Sequence, residues 1–223
     1  MSEKRKIKFA LLFPLSYLAL IWFVYFIFWT LDLEMSLIGI APQKAQGLIG
    51  ILLSPFAHGG IKHIVSNSVS FIALSAALFY FYRLIAYRVF FLNWFISGLL
   101  LWIGGRDSIH IGASGLVYGL AFFLFFSGVL RRDKKLGAIS MIVVFLYGSM
   151  VWGMFPQQNN ISWEGHLFGA LSGLSLAWYY RKNPIDFTPE IDGGSVSVTW
   201  GQYNEFEYEY IEDEPENTDP SIH

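Results

Sequence analysis

The sequence predicts an all-α membrane protein, a bundle of six transmembrane helices with both termini in the cytoplasm. Three observations predict it. Hydrophobic residues make up 54% of the 223-residue chain and charged residues only 14%, against about 25% charged in ordinary soluble domains. The apolar residues fall in long blocks separated by short charged loops, not in the stripes that cover a soluble core. The basic residues then cluster on alternate loops.

Taken in order, the chain starts with Lys4, Arg5, Lys6 and Lys8, followed by an uncharged run from Phe9 to Leu31. That run is longer than the roughly 7–15 residue apolar region of a signal peptide, and no small-residue cleavage site follows it. It reads as an uncleaved first span, Phe9–Trp29. A span needs about 20 apolar residues, and five more segments qualify: His63–Tyr82, Val89–Gly104, Ile111–Leu130, Leu136–Phe155 and Ser162–Tyr180. The third and sixth are short, and the sixth contains Glu164 and His166.

Charge asymmetry sets the orientation. With the N-terminus inside, the leader, the Arg83/Arg88 loop, the Arg131–Lys135 loop and the Arg181/Lys182 end are cytoplasmic. Together they hold 12 of the 15 basic residues, leaving Lys44, Lys62 and Arg106 outside. Five or seven spans would break the alternation. The first external loop, about Asp32 to Lys62, includes a mildly apolar stretch, Gln46–Leu53, too short to span and suited to the interface. The spans and their loops form one membrane domain, residues 1–182. Residues 183–223 form an acidic cytoplasmic tail, expected to be largely disordered, with one alternating stretch, Ser195–Trp200, able to form a strand. Of 17 acidic residues, 11 lie from Asp186 onward, where there is no Lys or Arg.

Composition also excludes functions. Without cysteine there is no disulfide, no thiol nucleophile and no Cys-ligated metal. No basic patch is interleaved with aromatics, so nucleic acid is not an expected partner. A small transporter would need broken-helix pairs and mid-membrane charges that are missing.

Strongly polar side chains inside spans are costly and are functional candidates. His63 and Asn67 start the second span, Ser114 the fourth and His166 the sixth, all at a similar depth, a few residues below the external surface. His63 and Asn67 share a helix face at i, i+4, as do Ser114 and Tyr118. Gly115/Gly119 on span four and Gly169/Gly173 on span six are GxxxG patterns that permit close approach of two helices. A serine hydroxyl needs a base to take its proton, and histidine serves near neutral pH. The oxyanion formed on attack needs donors. The Ser114 N–H, in a first helical turn, is unpaired within the helix, and Asn67 and His63 add side-chain donors. Glu164 points to another face than His166 and is not expected to be a third catalytic group. A metal site at His58, His63 and His166 is not expected. There is no H-E-x-x-H motif, and His58 and His63, five residues apart, lie nearly half a turn off a shared helix face. No cofactor is called for.

These residues resemble the rhomboid family of intramembrane serine proteases. The resemblance rests on His58-Gly-Gly-Ile-Lys-His63-Ile-Val-Ser-Asn67, on Gly112-Ala-Ser114-Gly115 with Tyr118, and on Gly165-His166 with Gly169 and Gly173. It runs from about Phe9 to Lys182. It implies a Ser114/His166 dyad and an oxyanion hole of His63, Asn67 and the Ser114 amide. Tyr118 would pack on the His166 ring, and His58 would support the first loop. It implies cleavage of transmembrane protein substrates near the external membrane edge, within the lipid bilayer. It also implies a multi-pass location in a plasma membrane, by analogy a bacterial cytoplasmic membrane. The first loop lacks the Trp-Arg pair common in the family, so its anchoring is expected to differ. The alternative is a catalytically silent rhomboid-like protein that binds other spans.

Overall fold

The computed structural model describes residues 3–156 and 162–183, together with the pairs 196–197 and 209–210. The chain divides into two units, Met1–Asp186 and Phe187–His223.

The first unit is helical. Its α-helices are α1 (Glu3–Thr30), α2 (Gly50–Leu53), α3 (Ile61–Phe81), α4 (Ala86–Gly104), α5 (Ser114–Arg131), α6 (Lys134–Tyr147) and α7 (Trp163–Tyr179). Among the described residues, α1, α3, α4, α5 and the stretch Lys134–Met154 are long and apolar enough to cross a membrane. Helix α7 has only 17 residues. The protein is thus a multi-pass membrane protein built on apolar helices.

Local chemistry accounts for the helix ends. Arg132 closes α5 in the left-handed region at φ 55°. Asp133 then caps α6, its Oδ1 accepting the Leu136 N–H at 2.9 Å and satisfying one orphan first-turn donor. The expected fifth span differs in form. Regular α-helix stops at Tyr147, and Gly148–Met154 continues as a 3₁₀-helix. Gly148 stands at the change from α-helix to 3₁₀-helix, glycine being a poor helix former.

Helix α1 packs antiparallel on α3, as the Phe13–Phe79 ring pair at 5.0 Å and the Trp22 Nε1–H bond to Ser68 at 3.1 Å show. Tyr17 stacks on Phe71, and Phe13 and Tyr17 add edge-on contacts with Phe90 and Trp94. Aromatic quadrupoles favour such offset and edge-to-face arrangements. In a lipid-solvated bundle, packing rather than water exclusion must hold helices together.

The seam between α5 and α7 is built on glycine. A β-carbon at Gly169 would strike the Gly115 backbone, and one at Gly173 the Gly119 backbone. Gly165 joins the row, its carbonyl 3.1 Å from where a Gly115 β-carbon would sit. Residue numbers rise together along the seam, so the helices are parallel, with Ser114 and His166 at the same end. Asn93 of α4, fully buried, lies over Gly119, where a β-carbon would collide with its amide. It donates to the Leu116 carbonyl at 3.0 Å. At the far end, the Arg131 guanidinium donates to the Asn183 carbonyl at 2.6 Å and to the Tyr180 carbonyl. That ties the end of α5 to the end of α7.

The loop between α1 and α3 is held without a Trp-Arg pair. Ile40 exchanges both backbone hydrogen bonds with His110, at 2.9 and 2.8 Å. Lys44 pairs with Asp107 at 2.5 Å, and Trp102 Nε1–H donates to the Lys44 carbonyl at 3.0 Å. The stretch expected at the interface becomes a short 3₁₀ turn, Ala45–Gly47, followed by α2. Trp94 Nε1–H fastens α2 through the Ile51 carbonyl at 3.0 Å.

In the second unit Val196–Ser197, inside the alternating stretch Ser195–Trp200, pairs antiparallel with Glu209–Tyr210. The rest of the expected disordered tail lies outside the described residues.

Candidate functional site

A cavity of about 960 Å³ opens at the N-terminal ends of α3, α5 and α7. His63, Asn67, Ser114, Tyr118 and His166 all line it. Three separate helices thus deliver a hydroxyl, two imidazoles, a carboxamide and a phenol to one space.

Ser114 is the first residue of α5. Its backbone N–H therefore belongs to the first turn, where no intrahelical acceptor exists. The preceding Gly112 has φ +112°, a conformation open to glycine and strained for other residues. A β-carbon there would also lie 2.8 Å from the His63 ring. The Gly112 N–H donates to the Ser54 carbonyl at 2.9 Å. Glycine at 112 thus turns the chain into α5 and leaves room for His63.

His166 is held on two sides. Its ring stacks on Tyr118, with centroids 4.2 Å apart and planes 4° from parallel. Its Nδ1 lies 2.9 Å from the Gly153 carbonyl. A carbonyl only accepts, so Nδ1 carries the proton and Nε2 keeps its lone pair. Tyr118 in turn donates its hydroxyl to the Met150 carbonyl at 2.8 Å. The 3₁₀ segment after α6 thus braces both rings. A β-carbon at Gly153 would meet the Tyr118 hydroxyl, so any larger residue there would push the phenol out of its place.

His58, only 1% exposed, stands behind Asn67. The Asn67 Nδ2 donates to His58 Nε2 at 3.1 Å, and His58 Nδ1–H points to the Phe56 carbonyl at 3.5 Å. One amide hydrogen of Asn67 remains for the cavity. Burial, with a lesser push from neighbouring His63, holds the His58 pKa down at about 4, so the ring stays a neutral acceptor. Its own ring lies 5.0 Å from that of His63.

Several residues at this site escaped the sequence reading. His110 is buried, with its Nδ1 2.7 Å from the Ser162 hydroxyl and its Nε2 3.3 Å from the Arg106 carbonyl. Arg106 reaches Glu164 at 3.4 Å. Gly153 and Met150 also went unnoticed, because a span reading treats Leu136–Phe155 as continuous helix. The signal available was a histidine four residues before Ser114 and two glycines within the fifth span. Among the described residues no group of three or more His, Asp or Glu gathers to hold a metal.

Comparison with known proteins converges on one family. A Rhomboid domain model matches residues 45–183. An uncharacterised protein of Mycobacterium tuberculosis is 32% identical over 179 residues, covering 74% of this chain and 72% of that protein. The Bacillus subtilis protein YdcA, provisionally named a rhomboid protease, is 30% identical over 135 residues, or 57% of this chain and 65% of its own. The RHOMBOID-like protein 2 of Arabidopsis thaliana is 25% identical over 169 residues, covering 71% and 50%. The family match spans most of the helical unit, including all three helices that meet at the cavity, and on that ground this chain belongs to the rhomboid family.

Proposed function

We propose that this chain is an intramembrane serine endopeptidase that cleaves transmembrane proteins near the external membrane edge. The observation that carries the reading is the shared cavity. Ser114, His166, His63 and Asn67 line it together, and His166 is set in the tautomer a general base requires.

In the proposed reaction Ser114 Oγ attacks the scissile carbonyl while His166 Nε2 takes its proton. The Ser114 N–H, the Asn67 amide and the His63 ring donate to the oxyanion. His166 then gives the proton to the departing amine, and an activated water releases the acyl group by the same route. The Gly153 carbonyl orients the imidazole, a task that a carboxylate performs in Ser-His-Asp triads.

The bilayer arrangement belongs to the same proposal: six spans, both termini cytoplasmic, in a plasma membrane. Helix α7 would be the sixth. Its 17 residues span about 26 Å at 1.5 Å each, a small mismatch with a hydrocarbon core of about 30 Å that local thinning accommodates.

The test is cleavage of a model transmembrane substrate in liposomes. Wild type should cleave, and Ser114→Ala should lose at least about a thousandfold in rate. Undiminished cleavage by Ser114→Ala would remove the proposal. Substrate binding by wild type without turnover would favour the catalytically silent reading.

A further inference from the structure

We infer that His110 and the Ser162 hydroxyl form a positioning link that fixes the first turn of α7, and with it His166, against the N-terminus of α5. The inference rests on the Ser114/His166 reading and assigns it a control outside the dyad.

The geometry fixes the direction of each bond. The Arg106 carbonyl, 3.3 Å from His110 Nε2, can only accept, so Nε2 carries the proton. In the neutral ring Nδ1 then accepts the Ser162 O–H at 2.7 Å. Burial pushes the His110 pKa down, which favours that neutral form. Ser162 is the residue before α7, and its side chain caps no helix N–H. Its hydroxyl is instead committed to His110. Its carbonyl takes the His166 N–H at 3.2 Å, so the link ends one helical turn from the proposed base.

His110 is itself fixed. Its backbone N–H and carbonyl both pair with Ile40, and four residues later the same strand of chain becomes Ser114. A second strut runs parallel. Arg106, on the same loop, meets Glu164 in the first turn of α7 at 3.4 Å, and Glu164 is only 4% exposed. The glycine seam brings α5 and α7 into contact but presents smooth backbone, which resists rotation and sliding of a first turn poorly. Directional hydrogen bonds supply what the glycines lack. A displacement near 1 Å at a reacting group costs roughly a hundredfold in rate.

The experiment measures kcat, KM and Tm for wild type, Ser162→Ala, Ser162→Thr, His110→Asn, His110→Gln and the Ser162→Ala/His110→Gln pair, on a transmembrane substrate in liposomes. Asparagine puts a polar atom where Nδ1 stands, and glutamine where Nε2 stands. Ser162→Ala should lower kcat roughly ten- to a hundredfold at unchanged KM, and Ser162→Thr should recover most of it. His110→Asn should retain more activity than His110→Gln. The double variant should be no worse than the poorer single one, because both break one link. The inference is overturned by a Ser162→Ala enzyme with wild-type kcat, by losses that add, or by a lowered Tm with kcat unchanged. A wild type that does not cleave overturns the dyad reading and this inference together, whereas an active wild type with an indifferent Ser162→Ala overturns this inference alone.

Discussion

Neutral His58 accepts from Asn67, and its neutrality has a measurable consequence. Its ordinary value of 6.5 falls to about 4 in the folded chain. Between those values the unfolded chain takes up a proton that the folded chain refuses. Stability from this residue is therefore complete above pH 6.5 and is lost as pH falls toward 4, to a limit of about 3 kcal/mol. Thermal unfolding in detergent should show a steeper loss of Tm on acidification for wild type than for His58→Gln. Parallel slopes would show that His58 does not titrate differently on folding. The dyad and oxyanion candidates were readable as polar residues in apolar runs, because the bilayer makes such residues expensive. The partners of His110 and Gly153 were not readable. A buried histidine in a loop and a carbonyl in a broken helix acquire partners only when distant segments meet.

The seam between α5 and α7 sets the distance between the helices that carry Ser114 and His166. Gly169→Val would drive a branched side chain into the Gly115 backbone, an overpacking that costs about 1–3 kcal/mol or more where the opposing group is backbone. A lowered Tm with loss of cleavage should follow, and a variant as stable and active as wild type would show that the helices do not meet through that glycine. The glycine spacing on both helices is visible in the sequence, since only residue identity is needed to see it. The end of α6 is different. Hydropathy alone cannot distinguish α-helix from the 3₁₀ turn of Gly148–Met154, because both are apolar. The anchoring of the first loop was equally hidden. It runs through backbone pairing of Ile40 with His110 and through the Lys44–Asp107 pair, neither of which has a local sequence pattern.

Across the whole molecule, hydropathy placed α1, α3, α4 and α5 to within a few residues, apart from the basic first turns of α1, which hydropathy trims. The proposed six-span topology follows from charge asymmetry, and the absence of cysteine makes it directly testable. Single cysteines at Arg83, Asp133 or Lys182 should react with a membrane-impermeant maleimide only after permeabilisation, and a cysteine at Asp107 in intact cells. Labelling of Asp107 and Asp133 from the same side would contradict the arrangement. Apart from topology, the proposed chemistry requires that the hydroxyl of Ser114 be activated by the imidazole of His166 within the shared cavity. Fluorophosphonate labelling of the purified protein tests it most directly. Wild type should be labelled at Ser114, with Ser114→Ala unlabelled and His166→Ala labelled at least about a hundredfold more slowly. Labelling of His166→Ala at the wild-type rate, or no labelling of a folded wild type, would contradict it.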